Sequence, residues 1–207
     1  MISLLKRTIA LGLLVVASFS ACADDPIAQL LATARSQIGV TVRYDPAYTR
    51  IAYPLGDVPI ERGVCTDVLI RAYRKLGIDL QQRVHEDMQT HGASYPKLWG
   101  LKTTDANIDH RRVPNLAVFF TRRGRSLPTH PVDAGNYAAG DIVTWLLPGN
   151  LPHIGIVSSR RVAGHPLVIH NIGAGTAEED ALLEYPITGH YRYMPDDAAR
   201  ERSGAPH

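Results

Sequence analysis

The last third of the chain differs in pattern from everything before it, and this change limits the folds that the sequence can adopt. Before residue 124, apolar residues recur at helical spacing in several stretches, among them Asp25–Ile38 and VPNLAVFFTRRG, where Pro114 suits a first helical turn. After residue 139, short runs rich in β-branched and aromatic residues are separated by Pro, Gly and Asn: GDIVTWLL, HIGIVSS, PLVIHNIG and HYRYMP. Helices followed by consecutive antiparallel strands predict an α+β fold.

One helical stretch, GVCTDVLIRAYRKLG, carries the single cysteine that follows the first 23 residues. Cys65 lies in its first turn, and Gly77 supplies a stop signal. Helical spacing places Cys65 on the same side as Leu69 and Ala72, which predicts a thiol turned towards the core. Because helix N-termini favour negative charge, we expect this thiol to ionise readily. Asp67 in the same turn is most simply a charge matched to the helix end.

The start of the chain has the pattern of an export signal. Residues 1–23 combine a positive start, an apolar stretch too short to span a bilayer and a small-x-small cleavage site before Asp24. We therefore predict a signal peptide (1–23), a single domain (24–195) and a polar tail (196–207), in a periplasmic or secreted protein. In an alternative interpretation that we favour less, Cys22 is a lipidated cysteine and anchors the protein to a membrane.

The charge balance argues against a nucleic-acid partner. Lys6 and Arg7 lie in the predicted signal peptide and are two of the 22 basic residues, so that 20 basic residues then balance 20 acidic ones. Nucleic-acid binders normally carry a basic face. Beyond the signal peptide, no apolar stretch of the sequence is long enough for a membrane span. The sequence thus indicates neither a nucleic-acid binder nor a membrane-spanning protein.

Two histidines in the strand-like region are candidate bases for the thiol. A cysteine nucleophile needs a base, and the base needs a third group that fixes its orientation. His153 opens the run HIGIV, where it can face the start of the Cys65 helix. His170 and Asn171 are neighbours on the next predicted strand and point opposite ways, so only one of them can share a face with His153. Spacing alone leaves open which of the two it is.

The same residues have plainer interpretations. A lone cysteine on an apolar helix face is usually a small buried hydrophobic residue, and a histidine at a strand start is usually a surface residue. Cys65, His153 and His170 are also possible zinc ligands, but no CxxC or HxxxH spacing supports a metal site. The sequence alone therefore does not distinguish a nucleophile from a structural cysteine.

Two further groups are candidate contributors to a site. The charged run DHRR at 109–112 is either a carboxylate-binding cluster or, more simply, a self-paired surface loop. Three tyrosines precede the Cys65 helix, namely Tyr44, Tyr48 and Tyr53. They either wall a groove or cover the core.

Taken together, the motifs are more specific than any one of them. They are GVCTDVLIRAYRKLGIDLQ, VHEDM, YPKLWGL, NIDHRRVPNL, GDIVTWLL, HIGIVS, HNIGAGT and GHYRY, and they extend roughly from Ala34 to Met194. This set resembles a family of exported bacterial proteins of unknown function that is placed in the NlpC-type superfamily of papain-like cysteine peptidases and amidases. The resemblance implies a papain-like NlpC-type fold, in which the helix with the nucleophile packs on a C-terminal antiparallel β-sheet.

The resemblance also implies roles for particular residues. It makes Cys65 the nucleophile, His153 the base and His170 the orienting residue, and it matches the Gly-Asp pair at 140–141 to the superfamily's entry into a strand. Tyr53 lies at the spacing of a tyrosine that lines the superfamily's active site. The superfamily's usual Asp-Cys-Ser-Gly is VCTD here, which is a departure around the nucleophile itself.

By this resemblance we expect an exported cysteine peptidase or amidase that hydrolyses amide bonds in peptidoglycan stem peptides. Peptidoglycan or its peptide fragments would be the partner, and neither a cofactor nor a metal ion is implied. Two alternatives use the same fold: a non-catalytic module that binds cell-wall peptides or a protein, and a thiol-dependent acyltransferase. Because a fold does not settle function, the substrate is an inference by analogy.

Overall fold

Helices precede the main strands along the chain, in the predicted order. The structure is a computed structural model that describes residues 25–98, 100, 102–129 and 134–203. The predicted signal peptide, Cys22 and the last four residues of the predicted tail lie outside the described residues. The helices described are α1 (Pro26–Arg35), α2 (Cys65–Lys75), α3 (Leu80–His91), α4 (Val113–Arg123) and α5 (Pro195–Ser203). The strands described are β1 (Arg43–Tyr44), β2 (Arg62–Gly63), β3 (Arg125–Ser126), β4 (Ile142–Leu147), β5 (Leu151–Val162), β6 (His165–Asn171), β7 (Thr176–Glu179) and β8 (Ile187–Arg192).

An antiparallel sheet of six strands, in the order β3-β8-β4-β5-β6-β7, forms the centre of the described fold. Strands β4, β5 and β6 are consecutive neighbours, as predicted. Strand β8 does not continue the meander but returns to pair with β4, where Tyr191 lies opposite Ile142. The edge strands β3 and β7 were not predicted. The mixture of helices with an antiparallel sheet confirms the α+β class.

One face of the sheet packs against the helices. Side chains alternate between the two faces of a strand, and Ile154 and Ile156 of β5 point to this face. They share one buried cluster with Cys65, Leu69 and Ala72 of α2, each at most 4% exposed. The prediction that α2 turns its cysteine-bearing side towards the core is therefore confirmed.

The opposite face of the sheet has its own apolar cover. The residues of this second buried cluster are Tyr137, Val143, Trp145, Val157, Val168 and Leu182. The indole N–H of Trp145 donates a 2.9 Å hydrogen bond to the carbonyl oxygen of Leu182, which satisfies the one polar group of that side chain. Because both faces are covered, polar side chains in the middle of the sheet, such as Thr144, His153 and His170, are buried whichever way they point.

The segment after residue 195, which we expected to be a polar tail, is helical as far as Ser203. Two contacts explain this difference. Ala198 is 1% exposed and joins the core on the helix side of the sheet, and the carboxylate of Asp197 accepts the N–H of Met194 at 2.9 Å. None of the described helices is long and apolar enough to cross a membrane.

Candidate active site

The thiol of Cys65 lies at the start of α2, directly against strand β5. The side chain is 4% exposed and forms no disulfide. Backbone N–H groups of Ile154, Thr66 and Cys65 itself lie close enough to the sulfur to lower the pKa of the thiol. A buried apolar filler needs no such donors, whereas a sulfur that carries negative charge during a reaction is stabilised by them.

The ionisation state of the thiol at rest follows from its burial. Burial raises the pKa of the Cys65 thiol to about 12, against the opposing effect of the Ile154 N–H, and the charge of Asp67 raises it further. Our expectation that the helix start makes this thiol ionise readily is therefore wrong for the resting structure, because loss of hydration outweighs the helix end. The thiol is neutral at pH 7.

A cavity of about 160 Å³ opens beside the thiol. It lies where the starts of α2 and α4 meet, close to the residue that precedes His153. Its lining residues are Tyr44, Pro46, Val64, Cys65, Ile108, Arg111, Arg112, Val113, Pro114 and Pro152. The cavity gives a small ligand a route to a thiol that is otherwise enclosed.

The tyrosine that lines this cavity is Tyr44, whereas we expected Tyr53. Strand β1 pairs in parallel with β2, with Tyr44 opposite Gly63, and this pairing brings Tyr44 next to the residues just before Cys65. Partial burial raises the pKa of Tyr44 to about 12 although 41% of the residue is exposed, and the proximity of Cys65 and then Asp67 adds to the rise. Tyr53 instead lies in the intervening loop and packs edge-on against the ring of His85, 5.3 Å away.

The structure resolves which neighbour on β6 contacts His153. The Nε2 atom of His153 lies 2.7 Å from Nδ1 of His170, and both side chains are at most 2% exposed. Asn171 points the other way, and its amide donates to the carbonyl oxygen of Gly63 at 3.2 Å. Of the two neighbours, His170 is therefore the one that contacts His153. A further contact that the sequence did not suggest follows on β7, where the carboxylate of Glu179 lies 2.8 Å from Nε2 of His170.

Cys65 and His153 meet the same stretch of β5 but are not joined by a hydrogen bond among the described residues. The Ile154 N–H that faces the sulfur belongs to the peptide bond between His153 and Ile154. The ring of His153 packs 5.8 Å from that of Trp145, whose cluster covers the sheet face opposite α2. The thiol and the imidazole thus lie on opposite faces of β5, so our expectation that His153 faces the start of the Cys65 helix is wrong for the resting structure.

The two imidazoles are neutral at rest. Burial lowers the pKa of His153 to about 3, and the neighbouring His170 lowers it further. Burial also lowers the pKa of His170, against the opposing effect of Glu179. Within the described part of the chain, no group of three His, Cys, Asp or Glu side chains is placed to hold a metal ion.

The charged run at 109–112 is internal, so its interpretation as a surface loop is wrong. Asp109, His110 and Arg111 form a 3-10 turn and are at most 7% exposed. Arg111 forms a bidentate ion pair with the carboxylate of Asp67, and this pair fixes the start of α2. The same Asp67 also accepts the N–H of Val64 at 2.7 Å, which extends its predicted role at the helix end.

The fold and the site define an α+β protein with a helix-borne thiol, faced by backbone amides and adjacent to a buried pair of histidines. Residues 31–193 match the family described as "Domain of unknown function (DUF1287)". The chain belongs to this family, as we expected from its motifs. It is 56% identical over 162 residues to "Uncharacterized protein YijF" of Escherichia coli (strain K12), a match that covers 78% of each chain.

Proposed function

We propose that this protein is an exported cysteine peptidase or amidase of the papain-like NlpC type. Its substrates would be amide bonds in peptidoglycan stem peptides, by analogy with the superfamily that the motifs resemble. The predicted signal peptide at residues 1–23 supports a periplasmic or secreted location. A nucleophile on a helix that packs on an antiparallel sheet, with histidines on two adjacent strands, is consistent with that fold.

The observation that carries the proposal is the set of groups around one sulfur atom. Three backbone N–H groups lower the pKa of the Cys65 thiol, and the peptide that supplies one of them begins at His153. His153 is in turn hydrogen-bonded to His170. The nucleophile, the base and the orienting group of the proposed set are thus neighbours across β5, and covalent catalysis further requires that the imidazole come within hydrogen-bond reach of the sulfur.

The first half of the reaction forms a thioester. As the sulfur attacks the amide carbonyl carbon, Nδ1 of His153 takes the proton of the thiol, and the carbonyl oxygen becomes negative. The N–H of Cys65 belongs to the first turn of α2 and can donate to this oxygen. His153 then returns the proton to the amide nitrogen, the C–N bond breaks, and the amine leaves. The N–H groups of Ile154 and Thr66 stabilise the charge that passes through the sulfur.

The second half restores the enzyme. A water molecule attacks the thioester carbonyl while His153 takes one of its protons, and the C–S bond breaks as the proton passes to the sulfur. The products are a carboxylic acid and the free thiol. His170 holds the ring of His153 in both halves through the Nε2 contact.

The proposal requires one movement. Because the thiol and the imidazole lie on opposite faces of β5 at rest, the backbone at the start of β5 around His153 must change conformation, so that sulfur and Nδ1 come within about 3.5 Å of each other when substrate binds. The cavity beside Cys65 and Tyr44 is where the substrate would enter.

Hydrolysis by the purified protein tests the proposal. The protein would be incubated with peptidoglycan fragments under reducing conditions, and the products identified by mass. We expect a new amine and a new carboxylic acid, and their loss in Cys65→Ala and His153→Ala. His165→Ala is the matched control, since the His165 side chain is 41% exposed and lies at the far end of β6 from His170. No hydrolysis, or undiminished hydrolysis by Cys65→Ala, would contradict the proposal.

A second candidate function is favoured by one specific observation, the burial of the thiol. A neutral cysteine that is 4% exposed also suits a module that binds a cell-wall peptide in the cavity without cleaving it. Such a module would bind peptidoglycan fragments equally well as wild type and as Cys65→Ala, and it would release no product. Calorimetry of both proteins with the same fragments separates the two functions.

A further inference from the structure

Glu179, His170 and His153 form a hydrogen-bonded series that leads from solvent to the proposed base, His153. The carboxylate of Glu179, about half exposed, lies 2.8 Å from Nε2 of His170. The Nδ1 atom of His170 lies 2.7 Å from Nε2 of His153. Glu179 does not line the cavity beside the thiol. Any effect that it has on the reaction therefore passes through His170.

The hydrogen on each ring nitrogen of this series can be assigned in order, starting from Glu179 at the solvent-exposed end. A carboxylate only accepts, so Nε2 of His170 must carry a hydrogen and donate it to Glu179. A neutral imidazole has one N–H, which makes Nδ1 of His170 an acceptor. Nε2 of His153 must then donate to it, which leaves Nδ1 of His153 with its lone pair. That lone pair is what a base needs in order to take the thiol proton.

From this order of donors and acceptors we propose that Glu179 is a positioning residue, which fixes His153 in the tautomer whose Nδ1 can accept the proton of Cys65. This role rests on the proposed function in so far as it concerns catalysis. The tautomer itself is a property of the folded protein and can be measured without any substrate.

The sheet register explains why Glu179 and not its neighbour takes this place. Strand β7 pairs with β6 so that Ala177 lies opposite His170 and Glu179 opposite Val168. Glu179 and His170 are therefore diagonal neighbours on one face of the sheet. Glu178 points to the other face, where it forms an ion pair with Arg35 at 2.8 Å.

Loss of the carboxylate has a predictable direction. Glu179 raises the pKa of His170, and the charge of Glu184 acts in the same sense but contributes less. In Glu179→Leu we expect kcat to fall about tenfold to a hundredfold with KM nearly unchanged, as for other groups that orient a reacting side chain. The acid limb of the kcat/KM profile should move to lower pH, because the imidazoles lose a neighbouring negative charge. Glu179→Gln, whose amide oxygen still accepts, should retain most of the rate.

Nitrogen NMR of the two imidazoles tests the inference directly. The full chain would carry Cys65→Ala and 15N-labelled histidine, and the hydrogen on each ring nitrogen of His153 and His170 would be assigned. We expect His153 to be protonated at Nε2 with Glu179 present, and to become a mixture of tautomers in Glu179→Leu. Asp180→Asn is the matched control, because Asp180 is the next residue, is exposed and lies 4.0 Å from His165.

The outcomes separate this inference from the proposed function. An unchanged His153 tautomer in Glu179→Leu, or Nδ1 protonation in the wild type, would overturn the inference even if the protein hydrolyses peptides. A tautomer that changes with Glu179 in a protein without hydrolytic activity would support the positioning role while refuting the enzyme.

Discussion

Arg111 donates a 2.9 Å hydrogen bond to each carboxylate oxygen of Asp67, although 44 residues separate the two in sequence. Both side chains are at most 4% exposed. Asp67 lies in the first turn of α2, close to Cys65, and its second contact is the N–H of Val64. The ion pair therefore joins the segment before α4 to the start of the helix that carries the thiol, and both segments line the cavity.

Breaking this pair should be costly. In Arg111→Met the charge of Asp67 would stay buried without its partner, so we expect the free energy of unfolding to fall by about 3–5 kcal/mol. Urea denaturation followed by circular dichroism measures this change. Arg160→Met is the control, because the Arg160 side chain is 67% exposed and its ion pair with Glu178 should contribute no more than about 1 kcal/mol. Equal losses in the two variants would contradict the assignment of Arg111 as a buried anchor.

Asp141 should make stability depend on acid pH. Burial opposes its ionisation, but hydrogen bonds from His190 and Arg192 outweigh burial and lower the pKa of Asp141. A carboxyl whose folded pKa is depressed stabilises the fold above its unfolded pKa of about 3.9, and this stabilisation is lost as the pH falls through the folded pKa.

Chemical denaturation between pH 5 and pH 2 tests this expectation. Asp141→Asn should be less stable than wild type at pH 5 because His190 and Arg192 lose their carboxylate, but its stability should fall less steeply with acid. The difference in slope should correspond to about one proton fewer taken up on unfolding. Identical slopes would show that Asp141 has an ordinary pKa in the folded protein.

The reactivity of Cys65 should reveal a buried neutral thiol. With a pKa of about 12, its alkylation by iodoacetamide should accelerate continuously from pH 7 to pH 10 without a plateau. At pH 7 the rate should be roughly a thousandfold below that of the same cysteine in denaturant, where its pKa is about 8.5. Mass spectrometry of timed samples gives both rates. A plateau below pH 8 would mean instead that a thiolate–imidazolium pair with His153 exists before substrate binds.

Tyr44 and Tyr53 form a matched pair for testing the cavity. Both are exposed to a similar degree, 41% and 44%, but only Tyr44 lines the cavity beside Cys65. Tyr44→Ala should lower kcat/KM by about tenfold, which corresponds to ~1.4 kcal/mol of lost substrate contact. Tyr53→Ala should leave kcat/KM unchanged. A larger effect at Tyr53 would place the substrate on the other side of the loop that joins β1 and β2.

The predictable parts of the fold are those whose signal is local. Helix α2 follows from the apolar spacing after Cys65 and a glycine stop, and β5 follows from the β-branched run after His153. Strand β7 has the sequence TAEE, which carries no strand signal, and it is extended because it pairs with β6. The pairing of β8 with β4 was likewise not predictable, because the alternation of apolar and polar residues does not indicate which strand a given strand pairs with.

The same limit applies to the site. Alternation showed that His170 and Asn171 point opposite ways, but only the register between β5 and β6 selects His170. The resemblance selected Tyr53 by its spacing from Cys65, whereas the parallel pairing of β1 with β2 decides which tyrosine lies at the cavity. Glu179 was missed because its role depends on β7, which itself depends on β6.

Gly155 offers a test of how tightly the histidine pair is built. It lies on β5 two residues after His153, and a Cβ added there would be 2.6 Å from Cγ1 of Val168 and 3.2 Å from Cβ of His170. In Gly155→Ala one of these side chains must move, so we expect unfolding to become easier by about 1–3 kcal/mol, the cost of overpacking a core. Because the shift acts on β6, the His153–His170 hydrogen bond should lengthen, which imidazole NMR can detect. Gly92→Ala is the control, since a Cβ there meets nothing within 4 Å. Wild-type stability in the Gly155→Ala variant, together with an unchanged tautomer at His153, would contradict this expectation and show that β6 can shift without disturbing the His153–His170 hydrogen bond.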